Sequence, residues 1–327
     1  MIGLIQLGLL AWLLFLAGIS MVLAAIYPAM RGMLRRVTPA DRAILLRALS
    51  VAPLVGGGVA SFLCFAPKLA ASALARVDHC TDHADGHFHF CLNHPPQVLG
   101  GIELWISFAA VGIAVLLVSI LRWRRLWNSR RTLRQLAMTT RYDDRHDAWV
   151  AETDLPIAIS VGVLEKRTIL SSGLLRLIPP LLIEVIVAHE QAHGRRSDGF
   201  WKIVIWMLSL GQLPGTREIL ERDLELACEQ ACDEYAGEMI GDRVRVAQAL
   251  VAMERVRHDM SMFGPAALAF GTNGLSARVA SLLSASAGSS WSRRAKLGLL
   301  LVSCGIAAWL ADPMHHLTET ILHYVLG

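Results

Sequence analysis

Residues 188–198 read AHEQAHGRRSD, and within them His189, Glu190 and His193 spell H-E-x-x-H. On a helix, side chains four apart share a face. The two imidazoles would then point the same way, one turn apart, as two ligands of a single tetrahedral zinc do. A glutamate directly after the first histidine can reach a metal-bound water and act as its general base. The segment does read as a helix. Pro179-Pro180 mark its start, since proline suits the first helical turn. LLIEVIVAHEQAH carries it on to about Gly194, with Ile183, Ile186, Val187 and Gln191 on a mixed, mostly buried face. The plain alternative is coincidence: at this chain's His and Glu content the pattern arises in roughly one such chain in fifty. A third ligand therefore decides the matter.

Residues 221–236, ERDLELACEQACDEYA, are helical by propensity and periodicity. Glu225, Glu229 and Asp233 fall four apart on one stripe, where like charges repel unless a cation faces them. A solvated acidic face would explain them too, but Leu226, Ala227, Cys228, Ala231 and Cys232 make the helix too apolar for full exposure. Glu229 is the expected third ligand, with Asp233 one turn on to orient a histidine. Glu225 is the alternative. Cys228 and Cys232 read as small core residues beside the site, with thiolate ligation as the other option.

The rest of the chain is strongly apolar: 54% hydrophobic and 18% charged, against about 25% charged in soluble domains. The net charge of +4 is too small to imply a nucleic-acid partner, and no direct nucleic-acid binding is expected. Residues 2–27 carry no charge and are long enough to span a bilayer. They lack the basic start and short apolar core of a secretory signal, which predicts an uncleaved span. Further apolar runs lie at about 48–66, 101–121 and 297–311, giving four predicted spans. Arg31, Arg35, Arg36, Arg42 and Arg47 follow the first span. Arg122, Arg124, Arg125, Arg130, Arg131 and Arg134 follow the third, and Arg293, Arg294 and Lys296 precede the fourth. The positive-inside rule then puts both termini outside, loop 67–97 outside, and 122–295 in the cytoplasm. Trp105, Trp123 and Trp127 near span ends suit interface anchors. The apolar run 201–213 is too short to cross and predicts a helix that is buried or lies in the interface.

Within 122–295, DLPIAIS (154–160) and KRTILSS (166–172) flank Val161-Gly162-Val163, which predicts a hairpin or small sheet. The predicted organisation is 1–121 with three spans, 122–295 as a cytoplasmic domain, and 296–327 with the fourth span and a short external tail. In the outer loop, His79, His83, His87, His89 and His94 crowd around Cys80 and Cys91. An external disulfide between those cysteines and copper or zinc binding by the histidines are the functional readings, beside that of a solvated polar loop.

The order PIAISVGVLEKRTILSSGLL, IEVIVAHEQAHGRRSD, ELACEQACDEYA resembles the membrane-bound zinc metallopeptidases of the bacterial β-lactam-sensor antirepressor family (BlaR/MecR type), which are relatives of the gluzincin membrane proteases. H-E-x-x-H followed by R-x-D, and E-x-x-C-D, are its specific pieces. The resemblance covers about 1–311. It implies a mainly α, four-span protein of the inner membrane with a cytoplasmic α+β gluzincin-like zinc peptidase domain carrying a small sheet. It further implies His189, His193 and Glu229 as zinc ligands, Glu190 as catalytic base and Asp233 as a second-layer aspartate. The strand near 163–170 resembles the edge strand that aligns substrate by main-chain pairing. Antibiotic-sensing members carry a penicillin-binding domain after the last span. Here 312–327 follow it without an S-x-x-K motif, so the resemblance does not extend to that sensor.

The expected activity is therefore a zinc endopeptidase acting on a cytoplasmic regulator, a transcriptional repressor by resemblance, in signal transduction. The rivals are a quality-control protease for membrane proteins and a non-catalytic metal-sensing membrane protein. Tyr235 and His258 are candidates for stabilising the oxyanion.

Overall fold

The computed structural model describes residues 2–65, 102–162, 165–261 and 274–284, with scattered positions between 305 and 324. In these residues the chain is mainly helical, with one small mixed sheet and three helices long and apolar enough to cross a membrane.

Helix α1 is Ile2–Leu34 and helix α2 is Pro39–Leu63. Thr38 caps α2 by accepting the Asp41 N–H at 3.3 Å, and Pro39 occupies the first turn. The two helices pack antiparallel: Trp12 donates to the Leu54 carbonyl and Ser61 to that of Gly8. A Cβ on Gly57 would lie 3.0 Å from the Leu16 backbone nitrogen, so glycine is what lets the helices approach. At 1.5 Å per residue, the 33 residues of α1 exceed an apolar layer about 30 Å thick.

Helix α3, Ile102–Met138, runs through the arginine-rich stretch without a break and is mostly exposed. Four strands follow: β1 Thr140–Asp143, β2 Ala148–Ala151, β3 Ala158–Val161 and β4 Arg167–Ser171. Their order is β1-β2-β4-β3, with β2 parallel to β4 and the other pairs antiparallel. Gly162, at φ +97°, ends β3 in a conformation that suits only glycine there. Then come α4 Ser172–Leu177, α5 Pro180–Arg196, α6 Asp198–Leu208, a 3₁₀ turn Ser209–Gly211, α7 Pro214–Ile240, α8 Arg243–Ser261 and α9 Leu275–Leu283.

Three buried clusters stack these elements. Tyr27, Leu46, Ile205, Leu220 and Leu224 join α1 and α2 to α6 and α7. Leu170, Leu174, Ile183 and Ile186 join the sheet to α5. Val185, Ala188, Ala236, Val246 and Leu282 join α5 to α7, α8 and α9. Helix α5 is therefore sandwiched between sheet and helices, and α7 between α5 and the α1–α2 pair. Among the described residues these three clusters converge on α5 and α7.

Several expectations change. The connection after the first span is only residues 35–38, so Arg42 and Arg47 lie on α2. They are placed there because partners on the helices packed against α2 receive them: Arg42 reaches Gln230 and Arg47 reaches Asp198. The predicted hairpin is real but is half of a four-stranded sheet. The strand at 167–171 is interior rather than an edge, because β2 pairs along its second side. The edge beside α5 is β3. Segment 201–213 keeps to expectation: α6 has 11 residues, too short to span a bilayer, and the turn after it packs on α1 and α2 through Gln212 to the Leu49 carbonyl and Leu213 N–H to Ser20. Among the described residues three helices are long and apolar enough to span a membrane. The fourth apolar run lies almost entirely outside the described residues, as does loop 67–97 with Cys80, Cys91 and its histidines.

Candidate metal centre

Helix α5 carries His189 and His193 on the side that faces α7, which carries Glu229 and Asp233, and Glu190 beside them, bonded to the Ser160 backbone of β3. Pro180 in its first turn and a left-handed Ser197 (φ 54°) at its end delimit α5. The two imidazoles lie with ring centroids 4.9 Å apart at an interplanar angle of 80°. Their Nε2 atoms converge on one carboxylate: His189 Nε2 lies 3.5 Å from Glu229 Oε2, and His193 Nε2 lies 3.4 Å from Glu229 Oε1. Metal–ligand bonds of about 2.0–2.1 Å at tetrahedral angles put neighbouring ligand atoms about 3.3–3.4 Å apart. The three residues therefore already stand at the spacing of a shared small divalent ion, with all ligand atoms within 4.8 Å of one another.

The other ring nitrogens are equally committed. His189 Nδ1 sits 3.0 Å from Asp233 Oδ1, and His193 Nδ1 sits 2.9 Å from Asp198 Oδ2. Both carboxylates are almost completely buried, at 1% and 2% exposed. Each imidazole thus donates Nδ1–H to a buried carboxylate and turns Nε2 toward Glu229, the orientation that metal-binding histidines adopt.

Buried carboxylates need cationic partners. Arg278 on α9 grips Asp233 through two bonds of 2.8 and 2.7 Å and reaches Glu229 Oε2 at 3.1 Å. Arg47 on α2 pairs with Asp198 Oδ1, and Arg196 Nε lies 3.3 Å from Asp198 Oδ2. Burial opposes ionisation of all three carboxylates, yet hydrogen bonds from His193 to Asp198, from Arg278 and His189 to Asp233, and from His189 and His193 to Glu229, with the arginine charges added, hold them below the usual carboxylate range. Burial likewise pulls His189 down, but its bonds to Asp233 and Glu229 outweigh that and raise it to about 10.

Glu190 lies on the same helix and differs in kind. Burial pushes its carboxyl up, partly opposed by the two imidazoles and by a backbone hydrogen bond from Ser160 on β3. It is the one carboxylate of the group poised to take up a proton. A Cβ on Gly194 would sit 3.0 Å from Ser160 Oγ, so the missing side chain lets β3 lie close against the site helix.

A second group, His193, Asp198 and Cys232, has ligand atoms close together but is poorly suited to a metal. Asp198 is already engaged by Arg47 and Arg196, and burial pushes the Cys232 thiol far up, so it stays a neutral donor. Cys228 is also buried and free. Glu225 does not join the cluster; its carboxylate lies 3.6 Å from Lys202 Nζ and is half-exposed. Tyr235 lies under the Arg195 guanidinium, 5.2 Å from it, with its hydroxyl buried and unpartnered, and His258 is exposed on α8.

Sequence reasoning thus brought His189, Glu190, His193, Glu229 and Asp233 to one place. It did not assign the partners Asp198, Arg47 and Arg278. Comparisons with protein-family models, with curated proteins and with solved structures found no match for this chain.

Proposed function

We propose that the chain is an integral-membrane zinc endopeptidase. The observation that carries this reading is the convergence of two imidazole Nε2 atoms and the Glu229 carboxylate at 3.4–3.5 Å, with Glu190 beside them. The donor set of two histidines and one carboxylate is that of open catalytic zinc sites, which keep a fourth position for water or substrate. Zinc bound there would supply Lewis acidity and make its water acidic enough to ionise near neutral pH.

The protein's own groups do the rest. His189, His193 and Glu229 hold the ion. Asp233 and Asp198 keep the Nδ1 protons in place, so that Nε2 stays the ligand atom. Glu190 takes the proton of the attacking water and delivers it to the departing amide nitrogen, a role that its raised carboxyl favours. The open edge of β3, against α5, offers main-chain groups on which an extended peptide can align.

The arginine distribution supports a cytoplasmic site with both termini outside, and the sequence resemblance implies a bacterial inner-membrane location. The substrate proposed is a cytoplasmic regulator, a transcriptional repressor by the sequence resemblance. The test is metal analysis of the detergent-purified chain, wild type against His193→Ala, with cleavage of co-expressed repressors. One equivalent of zinc lost in the variant, with cleavage lost in parallel, is expected. Wild-type protein without zinc, or signalling that survives Glu190→Ala with zinc retained, would remove the peptidase reading. Accumulation of many membrane proteins in a Glu190→Gln strain, instead of one regulator, would turn the substrate toward quality control.

A further inference from the structure

We infer that Arg47 of membrane helix α2 is a positioning residue for the metal centre, fixing the His193 ring through Asp198. The inference rests on the zinc-site reading above and extends it to a residue that no ligand motif contains.

Asp198 divides its two oxygens. Oδ2 accepts from His193 Nδ1 at 2.9 Å and lies 3.3 Å from Arg196 Nε; Oδ1 is taken by Arg47. Arg196 therefore shares the oxygen that the imidazole uses, while Arg47 anchors the opposite one. With both oxygens pinned the carboxylate plane is fixed, and so is the direction in which His193 Nε2 points. Remove Arg47 and a buried oxygen loses its partner. The carboxylate is then free to rotate toward Arg196, and the ring loses its reference.

Arg47 is held for this task. Its side chain is 13% exposed, and it also donates to Cys228 Sγ at 3.7 Å and lies 5.5 Å from the Trp201 ring centroid. Its Nε is buried without a partner, so the side chain is not placed to satisfy its own donors. The left-handed turn at Ser197, with φ 54°, returns the chain so that Asp198 opens α6 between His193 and α2. Other polar clamps join the membrane pair to α7: Tyr27 and Arg31 to Asp223, and Arg42 to Gln230. Among the described residues the Arg47 clamp differs from these, because its carboxylate touches a metal-facing imidazole. A displacement of α2 is thereby felt at the ligand itself.

The test measures zinc affinity of the full-length chain in detergent, by competition with a chromophoric chelator, so the readout does not depend on turnover. Arg47→Met and Arg47→Gln are expected to weaken zinc about 10-fold or more, the usual effect of losing an outer-shell partner. Arg47→Lys, which keeps the charge, recovers most of it. Arg31→Met, which breaks a clamp that does not reach Asp198, stays within about twofold of wild type on the same principle. On an Asp198→Asn background Arg47→Met adds nothing. Wild-type affinity in Arg47→Met and Arg47→Gln, an equal loss in Arg31→Met, or a full additional loss on Asp198→Asn would each overturn the proposal. A wild type that binds zinc no better than His193→Ala would instead overturn the zinc site itself, and this inference with it.

Discussion

Asp233 accepts from His189 Nδ1 at 3.0 Å while both its oxygens are held by the Arg278 guanidinium, so a metal-facing ring, a carboxylate and an arginine form one buried chain. Removing one partner of such a pair leaves an uncompensated buried charge, which costs about 3–5 kcal/mol. Arg278→Met should therefore destabilise the chain by about that amount, seen as a lowered midpoint of thermal unfolding in detergent. Adding Asp233→Asn to it should recover part of the loss, because the stranded charge is gone. A double variant less stable than either single one would contradict the pairing.

Glu190 is beside the ligand set but outside it. Glu190→Gln should leave zinc content at the wild-type level and lower peptide cleavage by about 10²–10⁴, the usual worth of a positioned general base. Metal analysis and a cleavage assay on the same preparation read both quantities. Loss of the metal along with the activity would recast Glu190 as a ligand.

The parts of this site that could be read in advance obey local periodicity. His189 and His193 stack because four residues make about one helical turn, and Glu229 and Asp233 repeat that spacing on an apolar helix. Asp198 escapes the rule, since it lies five residues beyond His193 across Ser197, whose φ of 54° breaks the helical register. Arg278 lies 45 residues from Asp233 on a nine-residue helix, and no short-range pattern links the two. Strands TRYD (140–143) and AWVA (148–151) are four residues each and lack a clear alternation. What makes them strands is pairing: β1 zips onto β2, and β2 in turn lies along β4, a contact between segments about twenty residues apart. Charge density marks Arg42 and Arg47 only as a membrane boundary; they lie on α2 because buried partners on adjoining helices receive them.

The two glutamates that a bare sequence cannot rank should separate cleanly. Glu229→Ala removes the carboxylate that both Nε2 atoms face and should abolish stoichiometric zinc. Glu225→Ala removes only a half-exposed partner of Lys202, a pair worth about 0–1 kcal/mol, and should keep both metal and activity. Zinc retained in Glu229→Ala and lost in Glu225→Ala would reverse the assignment.

Metal uptake should release protons. In the metal-free chain burial opposes the charged form of His189, but hydrogen bonds to Asp233 and Glu229 raise it to about 10, so the ring is cationic at neutral pH. Ligation through Nε2 requires the Nε2 proton to leave, while the Nδ1 proton stays on the ring and is donated to Asp233. Below the raised value the ion competes with the proton, so affinity should climb as pH rises from 6 to 8, by about tenfold per unit for each proton displaced. Calorimetric titration with zinc in buffers of different ionisation enthalpy counts those protons directly. At least one per ion is expected in wild type and fewer in His189→Ala. A binding heat independent of the buffer would mean that the ion does not displace the His189 proton, and that the imidazole is not its ligand.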